Sequence, residues 1–541
     1  MWVVVRNCES HDSIEQENEL DGLALTRRTV MALLGAGGVA AVASGSATAS
    51  HGGGSSATTW NENQDANNYD LLNLHSLDTE HVHASAREAE VIVWRDDNDV
   101  YHADGQDGEV ASGEDFVSVT QSALDSLTSG RTWKETVRVV SPGETDRSDE
   151  IFVPSYTVFD VAAPIVITAG DDFIPIKSQD TEHVEIPRFR LQGSVDWGIF
   201  CKSVKDLHIG DVRMDLQGSG LGVRVDASGD NGRSEDVRID SVFIERADNH
   251  GVETRGVDRL QVGRVLGKNV SGCTLLLNET GDATVGDIME YSPNPPGTTD
   301  YATFRTTYQQ GRVTADNIVS HQADRGLHIH GGSGEIAINN VYIANPRGKG
   351  AVLNGCPNTI LNGGVIKNCN GEAIDVYTID DPSTNPEERA DGIKVTNMRI
   401  YDDRDDPQQT EAIDEGGNAQ NNQYVDNDLR DGGTNELIRL ASPTTVVRDN
   451  VGAGVSEGTV TLTSGSSPAA RVKGVDSFGD VTLDLRAKPV SPPSSAMGWD
   501  HRFEWDGSQW DLIIEWTTDP GQDMDLDYIV DRPQANLGRY P

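Results

Sequence analysis

Apolar residues recur at one spacing through the middle of the chain. Four stretches share the pattern apolar-x-apolar-x-x-apolar-x-apolar, beginning at Leu207, Val237, Ile336 and Ile393. A small residue and a short alternating run follow each stretch, and most successive runs start 22–25 residues apart between positions 198 and 437. Such a period is typical of a solenoid made from one repeated unit. The runs are too short for a sandwich, and no helical pattern separates them, so the sequence predicts stacked parallel strands.

This pattern predicts an all-β protein whose main domain is a right-handed parallel β-helix of about ten coils over residues 135–455. Residues 86–134 predict an N-terminal hairpin and a helix that caps the first coil. After Val451 the ladder stops, and residues 456–541 predict a small β-sandwich-like domain with a hairpin around Trp505-Asp506-Gly507. A homo-oligomer could form through this C-terminal domain.

A local motif stands at the start of the predicted solenoid. The short helix Gln121–Asp125 is followed by a strand and by Ile151-x-Val153-Pro154-Ser155. Together they resemble the N-terminal part of pectate-lyase-like right-handed β-helix proteins, and the likeness extends over about residues 85–455. The resemblance implies the fold, with the helix covering the open end of the first coil. It leaves the activity open, because this superfamily contains lyases, hydrolases, epimerases, tailspikes and non-catalytic surface proteins.

The N-terminal segment predicts export. Arg27 and Arg28 precede an apolar run from Val30 to Ala43 and the small residues Ala47-Thr48-Ala49. Residues 1–49 therefore resemble a twin-arginine signal peptide with a long n-region, which makes the twin-arginine translocase an expected partner. Residues 50–85 are rich in Gly, Ser, Asn and His and predict a flexible linker. No membrane span is expected in the mature form, which is predicted to be extracellular or on the cell surface.

Charge narrows the classes of partner. The formal net charge is -44, from 87 acidic and 43 basic residues. Nucleic acid is excluded as a partner, because no basic stripe is available to neutralise its phosphates. An acidic surface with regular strand patterning fits a halophilic protein, since concentrated salt screens the repulsion between carboxylates.

Strand alternation predicts which residues of the second run in each coil face outward. The first outward column is predicted to contain Phe200, Arg224, Glu253, Leu276, Phe304, His328, Leu353, Asp375, Asp414 and Arg439. The second is predicted to contain Lys202, Asp226, Arg255, Asn278, Thr306, His330, Gly355, Tyr377 and Gly416. Long loops at 226–236, 291–300 and 378–391 could wall these columns into a groove. A groove with repeating polar contacts and aromatic rings suits a polysaccharide.

The outward residues offer acid–base chemistry suited to an anionic, uronic-acid polysaccharide. His328, His330 and Tyr377 are candidates for proton transfer, and Asp375 is a further catalytic candidate. The candidates for substrate binding are Arg224, Glu253, Arg255 and Phe304. Asp375 and Glu253 lie several coils apart, which disfavours them as a hydrolytic pair.

Two functions remain open from the sequence: a polysaccharide lyase-like enzyme, and a non-catalytic adhesin or tailspike-like binding protein. His330-Gly331 and Arg347-x-Lys349 are reminiscent of polygalacturonases, but Thr306 and Thr307 stand where the acids of those enzymes belong. No cofactor or metal site is assigned. Calcium is possible at the acidic runs Asp380-Asp381 and Asp402–Asp406, although in a chain this acidic solvated loop charges explain these runs better.

Overall fold

The computed structural model describes most of the chain after residue 88. The described ranges are 89–146, 149–168, 173–227, 232–296, 301–309, 311–332, 335–379, 389–442, 444–451, 455–465, 469–472, 482–489, 498–505, 510–519 and 521–531. The predicted signal peptide and linker lie outside these residues. Within them, no helix is long and apolar enough to cross a membrane.

A hairpin and one helix precede the repeats, as the sequence predicted. The strands Val91–Arg95, Tyr101–Gly105 and Gly108–Gly113 pair antiparallel, and the first of them also pairs in parallel with Glu135–Val139. The helix Phe116–Asp125 starts at Asp115, whose carboxylate accepts a hydrogen bond from the Val117 N–H at 3.2 Å. Its buried apolar side chains join the core of the solenoid. The helix therefore covers the first coil.

Each coil contributes one strand to a twelve-stranded parallel sheet, which we call the site sheet. Ten of its strands are those expected from the repeat, and two more precede them. The site sheet consists of Ile151–Phe152, Ile176–Gln179, Trp197–Lys202, Leu221–Asp226, Val252–Arg255, Leu275–Asn278, Ala302–Gln309, Arg325–Gly332, Ala351–Asn354, Ile374–Tyr377, Glu411–Gly416 and Glu436–Arg439.

The apolar ladders form the second sheet, which we call the ladder sheet. It has eighteen strands, including the three of the N-terminal hairpin. The others are Glu135–Val139, Gly143–Thr145, Thr157–Val161, Ile165–Ile167, Glu182–Gln192, Lys205–Ser219, Ser234–Ala247, Val257–Lys268, Ala283–Tyr291, Val313–His321, Ile336–Ala344, Ile360–Lys367, Lys394–Tyr401, Gln423–Val425 and Val446–Arg448. Strands of successive coils pair in parallel within each sheet. The parallel β-helix is confirmed.

The core lies between the two sheets and runs the length of the coils. The ladder residues Leu207, Ile209, Val212 and Met214 are all buried, as their spacing predicted. One continuous apolar cluster extends from Val91 to Val447. Each coil buries its apolar side chains against its neighbours, which is how a solenoid obtains a core from short repeats.

The C-terminal strands belong to two further sheets, each antiparallel and three-stranded. One contains Val455–Leu462, Thr482–Pro489 and Met524–Asp531, and the other contains Ala469–Val472, Gly498–Trp505 and Trp510–Thr518. The strands on either side of the hairpin expected at Trp505-Asp506-Gly507, Gly498–Trp505 and Trp510–Thr518, pair antiparallel, and Asp506 and Gly507 lie outside the described residues. Leu512, Ile514 and Trp516 are buried on one face. The antiparallel organisation of this region therefore agrees with the prediction.

The strand register differs from the predicted columns in two coils. Phe304 pairs with Leu275 and Leu327, so it points into the core and is 0% exposed, whereas Arg305 takes the outward position. The prediction that Phe304 binds substrate is therefore wrong. The small residue used to align the coils was misplaced here: Ala302 pairs with Arg325, one residue before Gly326. A small residue marks the turn into the strand but does not fix the phase of its alternation.

A similar shift affects the coil after His330. Ala351 pairs with Leu327, which makes Val352 and Asn354 outward and Leu353 inward. The prediction had Leu353 and Gly355 facing outward. Gly350 and Ala351 are both small. The alignment of the coils used Ala351 as the small residue before the strand, whereas Gly350 is the residue that corresponds to Gly326. The correction puts an asparagine beside His330, where a glycine was expected.

Candidate functional site

The predicted acid–base residues lie close together in the two outward columns, within a group of four adjacent strands. In the first column Arg305, His328, Val352 and Asp375 follow one another. The second column runs Thr307, His330, Asn354 and Tyr377 on the same strands. Parallel strands repeat about every 4.8 Å, so neighbours within a column are in contact distance. We call this surface the histidine face.

A hydrogen-bonded chain links three residues of the second column. The Asn354 side-chain amide donates from Nδ2 to the Tyr377 hydroxyl at 2.8 Å, and its Oδ1 lies 3.1 Å from Nδ1 of His330. With the amide in this orientation Oδ1 can only accept, so Nδ1 of His330 carries a proton in the hydrogen bond. The neutral ring then has its lone pair on Nε2. Asn354 thus selects the tautomer in which His330 can accept a proton.

His328 lies beside this chain and is more sheltered than the prediction of an exposed column allowed. Its side chain is buried at 8% exposure, and its ring centroid is 5.5 Å from that of His330. Neither ring nitrogen has a hydrogen-bond partner among the described residues. Burial lowers the pKa of His328 to about 3, with the charges of Arg305, Arg325 and His330 acting in the same direction. His328 is therefore uncharged at neutral pH.

Arg305 is, with Asn354, a candidate site residue that the sequence interpretation missed. It precedes His328 in the first column, and its Nε has no hydrogen-bond partner in the part of the chain that the structure describes. Its guanidinium carbon lies 5.8 Å from the centroid of the Tyr301 ring. Tyr308, on the same strand, is exposed, and its ring lies 5.3 Å from that of His330. A cation and two exposed aromatic rings therefore border the histidines.

Asp375 is on the histidine face but already has a cationic partner. Lys349 forms an ion pair with it and a second one, at 3.3 Å, with Glu372. Burial raises the pKa of Asp375, and the carboxylates of Glu372 and Asp414 add to this, while Lys349 opposes it. In the next coil Asp414 is bound by Arg439. This end of the face is a compact ionic cluster.

The predicted substrate-binding residues Arg224, Glu253 and Arg255 lie on coils closer to the N-terminus, and they do not contact the histidines. Arg224 pairs with Glu253 at 3.0 Å and with Asp226 at 2.9 Å. Burial raises the pKa of Glu253, with Arg224 opposing and Asp226 adding to the shift. Arg255 pairs with Glu279 at 3.4 Å. Two coils, those of Glu253 and Leu276, separate Arg224 from Arg305.

The acidic run Asp402–Asp406 is organised by its own chain. Asp402 accepts hydrogen bonds from the backbone N–H groups of Gln408 and Gln409 and from the Arg404 guanidinium. Although burial opposes it, these bonds lower the pKa of Asp402 to about 2. Asp380-Asp381 lies outside the described residues. Within them no group of three or more His, Cys, Asp or Glu side chains is arranged to hold a metal ion.

The buried, neutral histidines predict a pH dependence of stability. His328 and His250 both have a pKa of about 3 in the folded protein, because of burial first and nearby arginines second, whereas an exposed histidine has about 6.5. Below pH 6.5 the unfolded chain binds protons that the folded protein does not, so stability falls as pH is lowered. Each histidine contributes up to about 1.4 kcal/mol per pH unit to this loss of folding free energy.

We expect the His328→Gln variant to lose less stability than the wild type between pH 7 and pH 5. Thermal midpoints measured in this range, above the titration of most carboxylates, check the slope. Equal slopes for the two proteins would contradict the burial of a neutral His328.

Comparison with models of protein families and with curated protein sequences gives no match. Comparison with solved structures gives distant matches. The structure of the pre-mature bacteriophage phi29 gene product 12 matches with 12% identity and a TM-score of 0.38, over 63% of this chain and 54% of that one. This chain thus spans about half the length of that protein. The tailspike protein of E. coli bacteriophage HK620 in complex with a pentasaccharide matches with 10% identity and a TM-score of 0.41, over 78% and 90%. The A-module of the Azotobacter vinelandii mannuronan C-5 epimerase AlgE6 matches with 15% identity and a TM-score of 0.32, over 62% and 95%.

Proposed function

We propose that this protein is a polysaccharide lyase-like enzyme acting on an anionic, uronic-acid polysaccharide. The observation that carries the proposal is the His330–Asn354–Tyr377 chain beside Arg305. It supplies a proton acceptor, a proton donor and a cation on adjacent strands. These are the three groups that elimination from a uronic acid requires, because the proton to be removed is adjacent to a carboxylate.

In the proposed reaction Arg305 binds the uronate carboxylate and lowers the cost of developing negative charge on it. Nε2 of His330 removes the proton from C5 of the sugar. The electron pair forms the C4–C5 double bond, and the glycosidic bond from C4 to its oxygen breaks. Tyr377 accepts a hydrogen bond from Asn354, so its own hydroxyl proton is available for the departing oxygen. The product has an unsaturated end that absorbs ultraviolet light.

The other residues around the face have supporting roles in this proposal. His328 is neutral, and both of its ring nitrogens are buried, so in this proposal it packs beneath His330 and does not contact the sugar. The exposed rings of Tyr301 and Tyr308 can stack on sugars at either side of the reacting unit. Arg224, Glu253 and Arg255 are far enough along the axis to serve only distant sugars. Asp375, bound by Lys349, contributes charge at the opposite end.

A non-catalytic polysaccharide-binding protein is the second candidate. It is favoured by the ion pairs that occupy Asp375, Asp414, Glu253 and Arg224, because such pairs stabilise a fixed surface and leave those groups little chemistry. The His330–Asn354–Tyr377 chain has no evident role in that alternative.

The test is to incubate the mature protein in high salt with polygalacturonate, alginate and glycosaminoglycans while absorbance near the ultraviolet band of unsaturated uronates is followed. The proposal expects absorbance to rise with at least one polymer. Binding without any new product would favour the second candidate.

We also propose that the chain is exported by the twin-arginine pathway and acts outside the cell or on its surface. Replacing Arg27 and Arg28 together by lysine is expected to retain the precursor inside the cell, because the translocase recognises the arginine pair. Immunoblots of cell and medium fractions check this. Secretion of the double variant at the wild-type level would rule out this pathway.

A further inference from the structure

An apolar stripe runs along the outer face of the ladder sheet, away from the histidine face. Its six members occupy one outward column on six successive strands: Phe243, Leu266, Met289, Val319, Tyr342 and Val365. Met289 is 37% exposed and Tyr342 42% exposed, and the other four are partly exposed. Arg213 precedes the column and Arg399 follows it. In a chain of net charge -44, six consecutive uncharged positions on one outer column need an explanation.

A second column lies two residues further along the same strands and is polar and aromatic. On these six strands it contains Glu245, Lys268, Tyr291, His321, Ala344 and Lys367, of which Ala344 is buried, and Tyr401 follows on the next strand. Tyr291 is 49% exposed, and its ring lies 5.3 Å from that of His321. Nδ1 of His321 is buried and has no hydrogen-bond partner among the described residues. The ammonium groups of Lys268 and Lys367 are paired with Glu245 at 2.7 Å and with Asp403 at 3.1 Å. The stripe therefore has an apolar centre and an adjoining edge of hydroxyl, imidazole and ion-paired groups.

We propose that this stripe is a second polysaccharide-binding surface, which holds an extended glycan chain along the axis of the β-helix. The proposal rests on the function proposed above for the class of ligand. Sugar rings have an apolar face of C–H groups and an edge of hydroxyls, which matches the apolar column and its polar neighbour. The strand repeat of about 4.8 Å also places one side chain opposite each successive sugar of an extended chain.

The dimensions argue against a second copy of this chain as the occupant. Five strand steps give a length of about 24 Å, and two neighbouring columns give a width of about 10 Å, or on the order of 240 Å². A standard protein interface buries roughly 800 Å² on each partner. A narrow, long surface instead fits a narrow, long ligand.

The backbone argues against a peptide as the occupant. The strand Val313–His321 pairs with Ala283–Tyr291 on one side and with Ile336–Ala344 on the other. Its backbone donors and acceptors are therefore used within the sheet, and an extended peptide cannot add as a further strand. Recognition has to use side chains, which is how glycans are bound.

The test combines Tyr342→Ala with Tyr291→Ala in the full-length mature protein. Affinity in high salt is measured by titration calorimetry with whichever of alginate and polygalacturonate the wild type binds, using long chains and short oligosaccharides. We expect the double variant to lose about tenfold in affinity for long chains, from two lost stacking contacts. Its kcat on short oligosaccharides is expected to stay at the wild-type value. The matched control is Trp133→Ala, which removes an exposed aromatic ring elsewhere on the surface.

The outcomes separate the two proposals. Unchanged affinity of the double variant for long chains would overturn the stripe while leaving the histidine face intact, provided that turnover persists. Failure of the wild type to bind alginate, polygalacturonate or any glycosaminoglycan would overturn both proposals. Sedimentation that shows an oligomer of the wild type, dissociated by the same two substitutions, would mean that the stripe is an interface between copies.

Discussion

Replacement of His330 by alanine is expected to lower kcat on the polyuronate substrate by about 10²–10⁴-fold, the usual contribution of a general base. Of His328 and His330, only His330 has its tautomer fixed by a described hydrogen bond, which it makes with Asn354. Because His330 is only partly buried, its loss is expected to change stability by less than about 1 kcal/mol. Initial rates at saturating substrate, together with a thermal melt, measure both effects.

Two further variants sharpen this prediction. His183→Ala removes a partly exposed histidine on the ladder sheet and should leave kcat unchanged. Asn354→Leu retains both catalytic groups but removes the amide that orients them, so it should reduce kcat and shift the pH profile as His330 loses its fixed tautomer. Full activity of His330→Ala would mean that the histidine face is not the catalytic site.

Replacement of Phe304 by alanine is expected to destabilise the protein by about 3–5 kcal/mol, the range for removing a buried aromatic ring. Phe304 is fully buried between Leu275 and Leu327 of the adjacent strands, so its removal leaves a cavity in the core. Arg305→Ala, one residue later, is expected to cost about 1 kcal/mol or less but to abolish turnover. Denaturant midpoints at fixed salt, with kinetic constants, compare the two variants.

This pair of substitutions also checks the strand register. If Phe304 faced outward, as the sequence suggested, the effects would be exchanged: Phe304→Ala would be stable with weakened binding, and Arg305→Ala would unfold. A result of that kind would contradict the positions of all residues on this strand.

The fold was predictable because burial imposes strong periodicity on the ladder strands. A residue such as Ile209 or Val212 has to be apolar in every coil, so the ladder pattern repeats and can be recognised in one sequence. The capping helix and the C-terminal antiparallel region were predictable for similar reasons. The β-helix fold could therefore be predicted from the residues that face inward.

The site was predictable only in part, because outward positions obey no comparable constraint. His328, His330 and Tyr377 were placed correctly on the outward face, since each lies beside an unambiguous inward residue. Arg305 and Asn354 were missed because one-residue errors in phase exchanged them for Phe304 and Gly355. In short strands a single misplaced small residue is enough to reverse every side chain.

Exposure was also not predictable from alternation. The pattern gives the direction of a side chain, whereas its burial depends on neighbours from other coils and turns. His328 points outward yet is buried, and Asp375 is buried beside Lys349, which comes from the turn of the preceding coil. The low pKa of His328 follows first from this packing, to which the charges of Arg305, Arg325 and His330 add.

The central claim is that the histidine face uses Arg305 to recognise a uronate while His330 and Tyr377 move protons. The most direct measurement compares a polyuronate that the protein degrades with the same polymer after chemical reduction of its carboxyl groups to hydroxymethyl groups. We expect unsaturated, ultraviolet-absorbing ends from the native polymer and none from the reduced one, because the reduced sugar offers Arg305 no charge and His330 no acidified proton. Equal cleavage of both polymers, or cleavage of the native polymer without unsaturated ends, would contradict this mechanism.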